Sequence, residues 1–199
     1  MAIQQPDMAV IRRAQRGDER AFALIMHAYE APIFNYVLRM VGDRALAEDL
    51  TQDVFLRVFR GLRGYSRRAR FTTWLFQVAK NRVIDEIRAA ERRPRTLLAI
   101  EDAPQLEVVD APIERSEAIQ FLLCEVDKLS PDLKEALLLR DIAGLSYNEI
   151  SDTLDVTLAT VKWRIFKARE EVQQALEEQG VGVSIVGESE SKSKSAGSD

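Results

Sequence analysis

Residues 145–169, LSYNEISDTLDVTLATVKWRIFKAR, contain two stretches of helical spacing separated by a short turn. The first stretch runs from Ser146 to Leu154, and the longer second stretch begins near Thr157. A short helix, a tight turn and a longer helix form the layout of a helix-turn-helix, whose second helix enters the major groove of DNA. This segment therefore predicts a helical fold and suggests a nucleic-acid partner.

The longer helix has two different faces when its residues are placed about 100° apart. One stripe is apolar and is expected to face the core: Leu158, Val161, Ile165, Ala168, Val172 and Leu176. The opposite side carries Thr160, Trp163, Arg164, Phe166 and Lys167. Cations on such a face can contact phosphates or guanine edges, and aromatic rings can contact thymine methyl groups. The alternative is that Trp163 and Phe166 pack under another helix of the same chain.

Helical spacing also runs through the N-terminal half of the chain. Asp18 is placed to cap a helix, Pro32 is expected to begin another at its first turn, and Asp43 can cap a third. A fourth helix is predicted from Phe71 to Arg92, with Pro94 as its stop. The fold class is therefore all-α.

The helical pattern disappears between residues 95 and 114, where two prolines and several acidic residues occur. We therefore predict two small helical domains, 8–94 and 115–178, joined by a flexible acidic linker at 95–114. The Gly-, Ser-, Glu- and Lys-rich residues 179–199 are expected to form a disordered tail.

The charges of this 199-residue chain, net −4, are unevenly distributed. Residues 1–95 contain 18 Lys and Arg against 11 Asp and Glu, whereas residues 96–117 contain one against six. A basic half beside an acidic connector suggests a polyanionic partner, although a solvated arginine-rich surface would give the same counts.

Composition excludes several classes of protein. A single cysteine, Cys124, excludes a disulfide framework, and a single histidine, His27, argues against a histidine-rich metal site. No apolar run approaches the roughly 18 residues of a membrane span, and the N-terminus lacks a signal-peptide pattern. We expect a cytoplasmic protein with no direct membrane insertion, no cofactor, no metal ligands and no catalytic residues.

The third helix has one apolar residue on its polar side. Its core stripe is Leu46, Leu50, Val54, Val58 and Leu62, and Leu56 lies on the opposite side among Asp49, Gln52, Asp53 and Arg60. An apolar centre with a polar rim is typical of a hot spot for a partner. Single exposed leucines are also common, so this pattern alone leaves both readings open.

The fourth helix combines an aromatic residue, amides and cations. The preceding loop, 65–70, is YSRRAR, and Trp74, Gln77, Asn81 and Arg88 fall within an arc of roughly 60°. Aromatic rings that stack on bases, amides that bond base edges and arginines that hold phosphates suit single-stranded DNA. The alternative is that Trp74 and Phe71 simply belong to the core.

Three segments of the chain resemble the extracytoplasmic-function (ECF) sigma factors, specificity subunits of bacterial RNA polymerase. The resemblance covers about residues 9–178. It is carried by AEDLTQDVFLRVF at 47–59, by FTTWLFQVAKNRVID at 71–85, and by LSYNEIS at 145–151 with TVKWRIFKAR at 160–169. One departure is Trp163, which stands where the family usually has a small Ser or Thr.

The resemblance implies a role for each surface. It implies that core RNA polymerase binds the third helix through Asp49, Gln52, Asp53 and Leu56. The −10 promoter element would be read and opened as a single strand by Ser66, Arg67, Arg70, Phe71, Trp74, Gln77, Asn81 and Arg88. The −35 element would be read as duplex by Thr160, Lys162, Trp163, Arg164, Phe166 and Lys167. The resemblance further implies a stress-response role and an anti-sigma factor as partner.

Two other functions compete with this interpretation. A stand-alone transcriptional regulator would use the helix-turn-helix alone, but it would need a sensor or dimerisation domain in place of the segment around Trp74. A nuclease would need grouped carboxylates, whereas the acidic residues here are dispersed or lie between 96 and 117.

Overall fold

The computed structural model describes residues 5–66, 68–92 and 117–180. Within these ranges the chain forms eight α-helices, one 3₁₀ turn and no strand, which confirms the all-α prediction. The first half contains α1 (Met8–Gln15), α2 (Glu19–Val41), α3 (Arg44–Gly61), the 3₁₀ turn (Leu62–Gly64) and α4 (Phe71–Arg92). The second half contains α5 (Glu117–Lys128), α6 (Pro131–Asp141), α7 (Tyr147–Leu154) and α8 (Leu158–Glu178). The predicted linker, all but two residues of the predicted tail, and Arg67 lie outside the described residues.

Polar side chains begin the helices where the sequence predicts them. The Asp18 carboxylate accepts the backbone N–H of Ala21 at 3.0 Å, and Asp43 does the same for Leu46 at 2.9 Å. Each carboxylate thus satisfies a backbone donor that has no partner within its helix. The predicted caps at Asp18 and Asp43 are confirmed.

The helix α2 is continuous where the sequence predicted two helices. It runs without interruption from Glu19 to Val41, with Pro32 in its interior, so Pro32 does not begin a new helix. Proline removes one backbone donor and disfavours a helix interior. Here Tyr29, Ile33 and Tyr36 are all fully buried on both sides of the proline, and their shared packing keeps the two segments in one helix.

Aromatic side chains form the centre of the first half. Tyr29 packs edge-on against Phe71 with ring centroids 5.8 Å apart, and its hydroxyl is hydrogen-bonded to Thr72 at 2.8 Å. Tyr36 packs in the same way against Phe76 at 5.6 Å. These contacts fix α4 against α2, so the exposed side of α4 has a defined orientation.

The helix-turn-helix in the second half is formed by α7 and α8. A capping box begins α7, in which Ser146 and Glu149 bond each other's backbone N–H groups, and Thr157 caps α8. Between them Asp155 adopts a left-handed conformation with φ 55°. The core stripe of α8 is buried as predicted from Val161 onward, but Leu158, its first residue, is exposed.

The two halves contact each other in this structure. The helix α2 packs against α6, and α4 packs against α7. The buried side chain of Glu135 on α6 accepts a hydrogen bond from the Tyr36 hydroxyl on α2 at 3.1 Å.

Burial of Glu135 gives the protein a pH-dependent stability. Burial raises the pKa of Glu135, although Lys80 and the Tyr36 hydroxyl act in the opposite direction. A group with a raised pKa in the folded state contributes stability at low pH, and that contribution is lost as the pH rises through the raised pKa. The buried carboxyl of Glu135 therefore makes the folded protein less stable at high pH than at low pH.

Glu135→Gln is expected to increase the free energy of unfolding at pH 8 by an amount on the order of 1 kcal/mol. Glutamine keeps an acceptor for the Tyr36 hydroxyl but removes the buried charge. Urea unfolding of both proteins at pH 8 and pH 5 tests this, because the difference should shrink at pH 5. A difference that is the same at both pH values would contradict the expectation.

Candidate nucleic-acid and partner-binding surfaces

The polar side of α3 forms a continuous exposed surface. Asp49 and Gln52 are exposed, and the Leu56 side chain is 52% exposed. Phe59, one turn further along, is also exposed and packs edge-on against Phe22 with ring centroids 4.9 Å apart. Phe59 is not among the residues predicted from the sequence, although its spacing of three residues from Leu56 places the two side chains next to each other on the helix.

Asp53, the fourth residue of the predicted α3 surface, contacts the neighbouring helix α4. Its carboxylate accepts a hydrogen bond from Arg82 of α4 at 3.0 Å, and Arg82 also pairs with Glu86 at 3.0 Å. Asp53 is thus partly engaged in holding α3 against α4. The exposed surface consists mainly of Asp49, Gln52, Leu56 and Phe59.

The exposed side of α4 carries the predicted polar residues. Gln77, Asn81 and Arg88 are all exposed on the helix. Ser66 and Arg70 are exposed in the loop that precedes it. Gln77, Asn81 and Arg88 therefore share one exposed face of α4. Arg67 lies outside the described residues, so its predicted role stays a prediction.

Phe71 is the exception among these residues. Its side chain is only 1% exposed and packs against Tyr29, so it cannot contact a base in this conformation. The predicted DNA contact by the Phe71 side chain is therefore not retained. The reason is its place at the first turn of α4, where the ring points into the core and anchors the helix.

Trp74 is half-buried in an aromatic cluster. Its ring lies 5.2 Å from Tyr65 and 5.6 Å from Phe71, between centroids. It also lies against Gly61, where an added Cβ would be 3.4 Å from the indole ring. Tyr65 in turn donates its hydroxyl to the carbonyl of Ala69 at 2.8 Å. The cluster fixes the orientation of Trp74 and of the loop beside it.

The outer face of α8 presents two aromatic rings. Trp163 is 60% exposed and Phe166 is 61% exposed, and Lys162 is exposed beside them. Within the part of the chain that the structure describes, these rings are not covered by another helix. The alternative that Trp163 and Phe166 form core packing is therefore wrong for this structure.

The polar residues of α8 are more constrained than predicted. Arg164 has a side chain only 15% exposed and is ion-paired with Asp132 of α6, so it holds α8 against α6. Thr160 is hydrogen-bonded to the capping residue Thr157 at 2.7 Å. Lys167 pairs with Glu170 at 2.7 Å but stays half-exposed. A DNA contact by Arg164 would require its ion pair to break, which the helical wheel alone did not reveal.

None of the helices described at 5–66, 68–92 and 117–180 has the length and apolar character of a membrane span.

Comparison with known proteins identifies the family. Residues 25–93 match Sigma-70 region 2, and residues 121–172 match Sigma-70, region 4. The RNA polymerase sigma-H factor of Pseudomonas aeruginosa is 33% identical over 187 residues, which cover 89% of this chain and 97% of that protein. The chain belongs to the ECF sigma factor family.

Other relatives agree with this assignment. The ECF RNA polymerase sigma-E factor of Escherichia coli is 33% identical over 190 residues, covering 89% of this chain and 97% of its own length. Two solved structures share the fold at 20% identity. CnrH in complex with the cytosolic domain of CnrY covers 86% of this sigma factor with a TM-score of 0.63. RpoE in complex with the anti-sigma factor NepR from Bartonella quintana covers 78% with a TM-score of 0.65.

The family determines the general activity of this sigma factor. ECF sigma factors bind core RNA polymerase and promoter DNA and direct promoter-specific initiation of transcription. They are regulatory subunits rather than enzymes.

Proposed function

We propose that this sigma factor opens the −10 element of its promoters on α4, reads the −35 element as duplex with α8, and binds core polymerase through α3. The observation that carries the proposal is the exposed row of Gln77, Asn81 and Arg88, which continues from the half-buried ring of Trp74. This row joins aromatic, amide and cationic groups on one rigid helix.

The chemistry of this row fits an unpaired DNA strand. An aromatic edge can stack on or wedge against a base, amides can bond base edges, and arginine can hold a phosphate. Because Trp74 is fixed by Tyr65, Phe71 and Gly61, its ring does not have to be ordered when DNA arrives. A protein that reads only duplex DNA through its helix-turn-helix has no need of such a row on a second helix.

The outer face of α8 supports recognition of duplex DNA. Trp163, Phe166 and Lys162 project from the second helix of the helix-turn-helix, which is the element that enters the major groove. The aromatic rings can contact thymine methyl groups, and the lysine can contact phosphate or guanine. The size of Trp163 is expected to affect the base preference at its position.

The surface on α3 supports polymerase binding. Leu56 and Phe59 form an apolar centre, and Asp49 and Gln52 form a polar rim. Protein interfaces commonly have this organisation, with the apolar centre contributing most of the affinity.

Transcription with purified core polymerase on a library of randomised promoters tests the proposal. We expect transcripts from templates that share two short sequence elements near −35 and −10, with permanganate-reactive thymines at −10 that mark the opened strands. Enrichment of a single duplex element without strand opening would instead support a stand-alone regulator.

We also propose that an anti-sigma factor controls this protein in a stress response. The exposed Leu56 and Trp163 are apolar surfaces that an inhibitor can cover, and the similar RpoE structure was solved with an anti-sigma factor.

The alternative to an anti-sigma factor is control of activity by residues 180–199 of the chain itself. Deleting these residues should leave core-dependent transcription unchanged, whereas a large rise or loss of activity would make the tail the regulator.

A further inference from the structure

The outer face of α8 is mainly aromatic where it is exposed. The side chains of Trp163 and Phe166 are 60% and 61% exposed, although large apolar side chains are usually buried in a folded protein. Because they are three residues apart on one helix, the two rings are neighbours on its surface. Val161 and Ile165, which belong to the core stripe of α8, are buried on the other side. Most of the surface of both rings is therefore available to a ligand.

The cations of α8 are mostly engaged with carboxylates. Three of the four are ion-paired: Arg164 with Asp132, Lys167 with Glu170, and Arg169 with Asp141. Only Lys162 has no ion-pair partner in the part of the chain that the structure describes, and it is exposed. Guanine is usually read in the major groove by an arginine or a lysine that is free to bond its O6 and N7 atoms. The outer face of α8 thus offers one unpaired cation beside two large apolar rings.

The methyl group of thymine is the apolar group that the major groove presents to such rings. Every base pair shows hydrogen-bond donors or acceptors there, and an A·T pair adds the C5 methyl of thymine. A ring gains free energy by leaving water for an apolar neighbour, whereas covering a polar base edge costs that edge its hydrogen bonds to water. Trp163 and Phe166 therefore match thymine better than they match any other base.

The spacing of the two rings fits two thymines that are close together in the sequence. The Cβ atoms of residues three apart on a helix are about 5 to 6 Å apart. Successive bases of one strand are about 3.4 Å apart along the duplex axis. With α8 in the major groove, the two rings reach bases that are one or two steps apart. Phe166 alone can contact one thymine, and Trp163 adds contact with a second.

We propose that Trp163 is a specificity-determining residue of this sigma factor and selects a thymine in the −35 element through its C5 methyl group. The selected thymine lies one or two base steps from the base that contacts Phe166. Lys162 contacts a phosphate beside it and adds affinity without choosing a base. This inference rests on the proposed reading of the −35 element by α8 and names the base that Trp163 requires.

Selection from a promoter library tests which base Trp163 requires. Holoenzymes of core RNA polymerase and the full-length sigma factor transcribe templates that are randomised across the −35 element. The wild-type sigma factor should enrich thymine about fivefold or more over the other bases at one position. Trp163→Ser should lose the preference at that position alone. Trp163→Phe should keep part of it, because the smaller ring can still contact the methyl group.

Chemically modified promoters test whether the methyl group itself is read. Deoxyuridine in place of the selected thymine removes the C5 methyl and keeps every hydrogen-bonding group of the base. Transcription by the wild-type protein at limiting sigma factor should fall about three- to fivefold, as expected for the loss of one buried methyl group. Transcription by Trp163→Ser should not change. At the same position, the wild-type protein should use 5-methylcytosine better than cytosine, because the modified base carries the methyl group.

Gln174→Ser is the matched control for the variants of Trp163. Gln174 is an exposed residue on the same side of α8, about three turns further along the helix. Its replacement should leave both the base preference and the response to deoxyuridine unchanged. The preference at the −10 element, which α4 is proposed to read, should be unchanged in every variant and verifies that each variant folds.

The outcomes separate this inference from the proposed function. If Trp163→Ser loses both the thymine preference and the response to deoxyuridine, both proposals are supported. If an element near −35 is enriched but Trp163→Ser prefers the same bases as wild type, or if deoxyuridine has no effect on wild type, the inference is refuted while the reading of −35 stands. The ring would then serve another partner, such as an inhibitor. If the wild-type protein enriches no element near −35, the proposed role of α8 fails together with this inference.

Discussion

Combining Leu56→Ala with Asp49→Arg is expected to weaken the binding of core RNA polymerase about 30-fold, or about 2 kcal/mol. Leu56 is the apolar centre of the exposed α3 surface, and Asp49 lies on its rim. Asp49 is preferred to Asp53 for charge reversal because Asp53 is bonded to Arg82, so its replacement would also disturb the packing of α3 on α4. The affinity is measured by titrating labelled sigma factor with core polymerase.

Leu24→Ala is the matched control for this prediction. Leu24 is an equally exposed leucine, 59% accessible, but it lies on α2. Its truncation should leave polymerase affinity within about twofold of wild type, since isolated surface substitutions have small effects. Equal affinities for the double variant and wild type would remove α3 from the proposed interface.

Asn81→Ala is expected to reduce open-complex formation on duplex promoters by about tenfold, while binding of the closed complex changes little. Asn81 is exposed at the middle of the row on α4, so its side chain can be removed without opening a cavity. On a template with a pre-melted −10 bubble, activity should be partly rescued, because the template then supplies the few kcal/mol of strand separation. Permanganate reactivity and abortive transcription measure the two steps.

Asn35→Ala is the control for Asn81→Ala, and Trp74→Ala is a second test of the row on α4. Asn35 is an exposed asparagine on α2, and its removal should affect neither template. Trp74→Ala should reduce opening as well, but it also removes contacts with Tyr65, Phe71 and Gly61, so its thermal unfolding must be measured alongside. If Asn81→Ala loses the same activity on duplex and bubble templates, Asn81 supports the fold rather than strand opening.

Several features depend only on residues that are close in the chain, and these were predictable. The caps at Asp18 and Asp43 involve a carboxylate and a backbone N–H three residues away. The core stripe of α8 from Val161 onward follows from the 3.6-residue period of the helix. The family resemblance added the order of the surfaces, since its motifs occur within α3, α4 and the helix-turn-helix.

Other features depended on which element lies opposite, and the sequence did not reveal them. A helical wheel shows that Phe71 and Trp74 are on neighbouring faces of α4, but not that Tyr29 covers Phe71 while Trp74 stays half-exposed. Likewise, Arg164 is on the polar side of α8, yet Asp132 of α6 removes most of it from solvent. Pro32 stays inside α2 because of the packing on both sides of it.

By itself, the sequence determined the all-α class, most helix ends and the polar sides of α3, α4 and α8, because each is set by hydrogen bonds and periodicity within a few residues. Only the tertiary structure decided that Gln5, 66 residues away, accepts the backbone N–H of Phe71 at the start of α4. It alone also placed Tyr36 on Glu135, 99 residues apart, and Arg39 on Asp127. Such contacts join residues that no local rule relates, since they exist only once the folded helices bring distant side chains together.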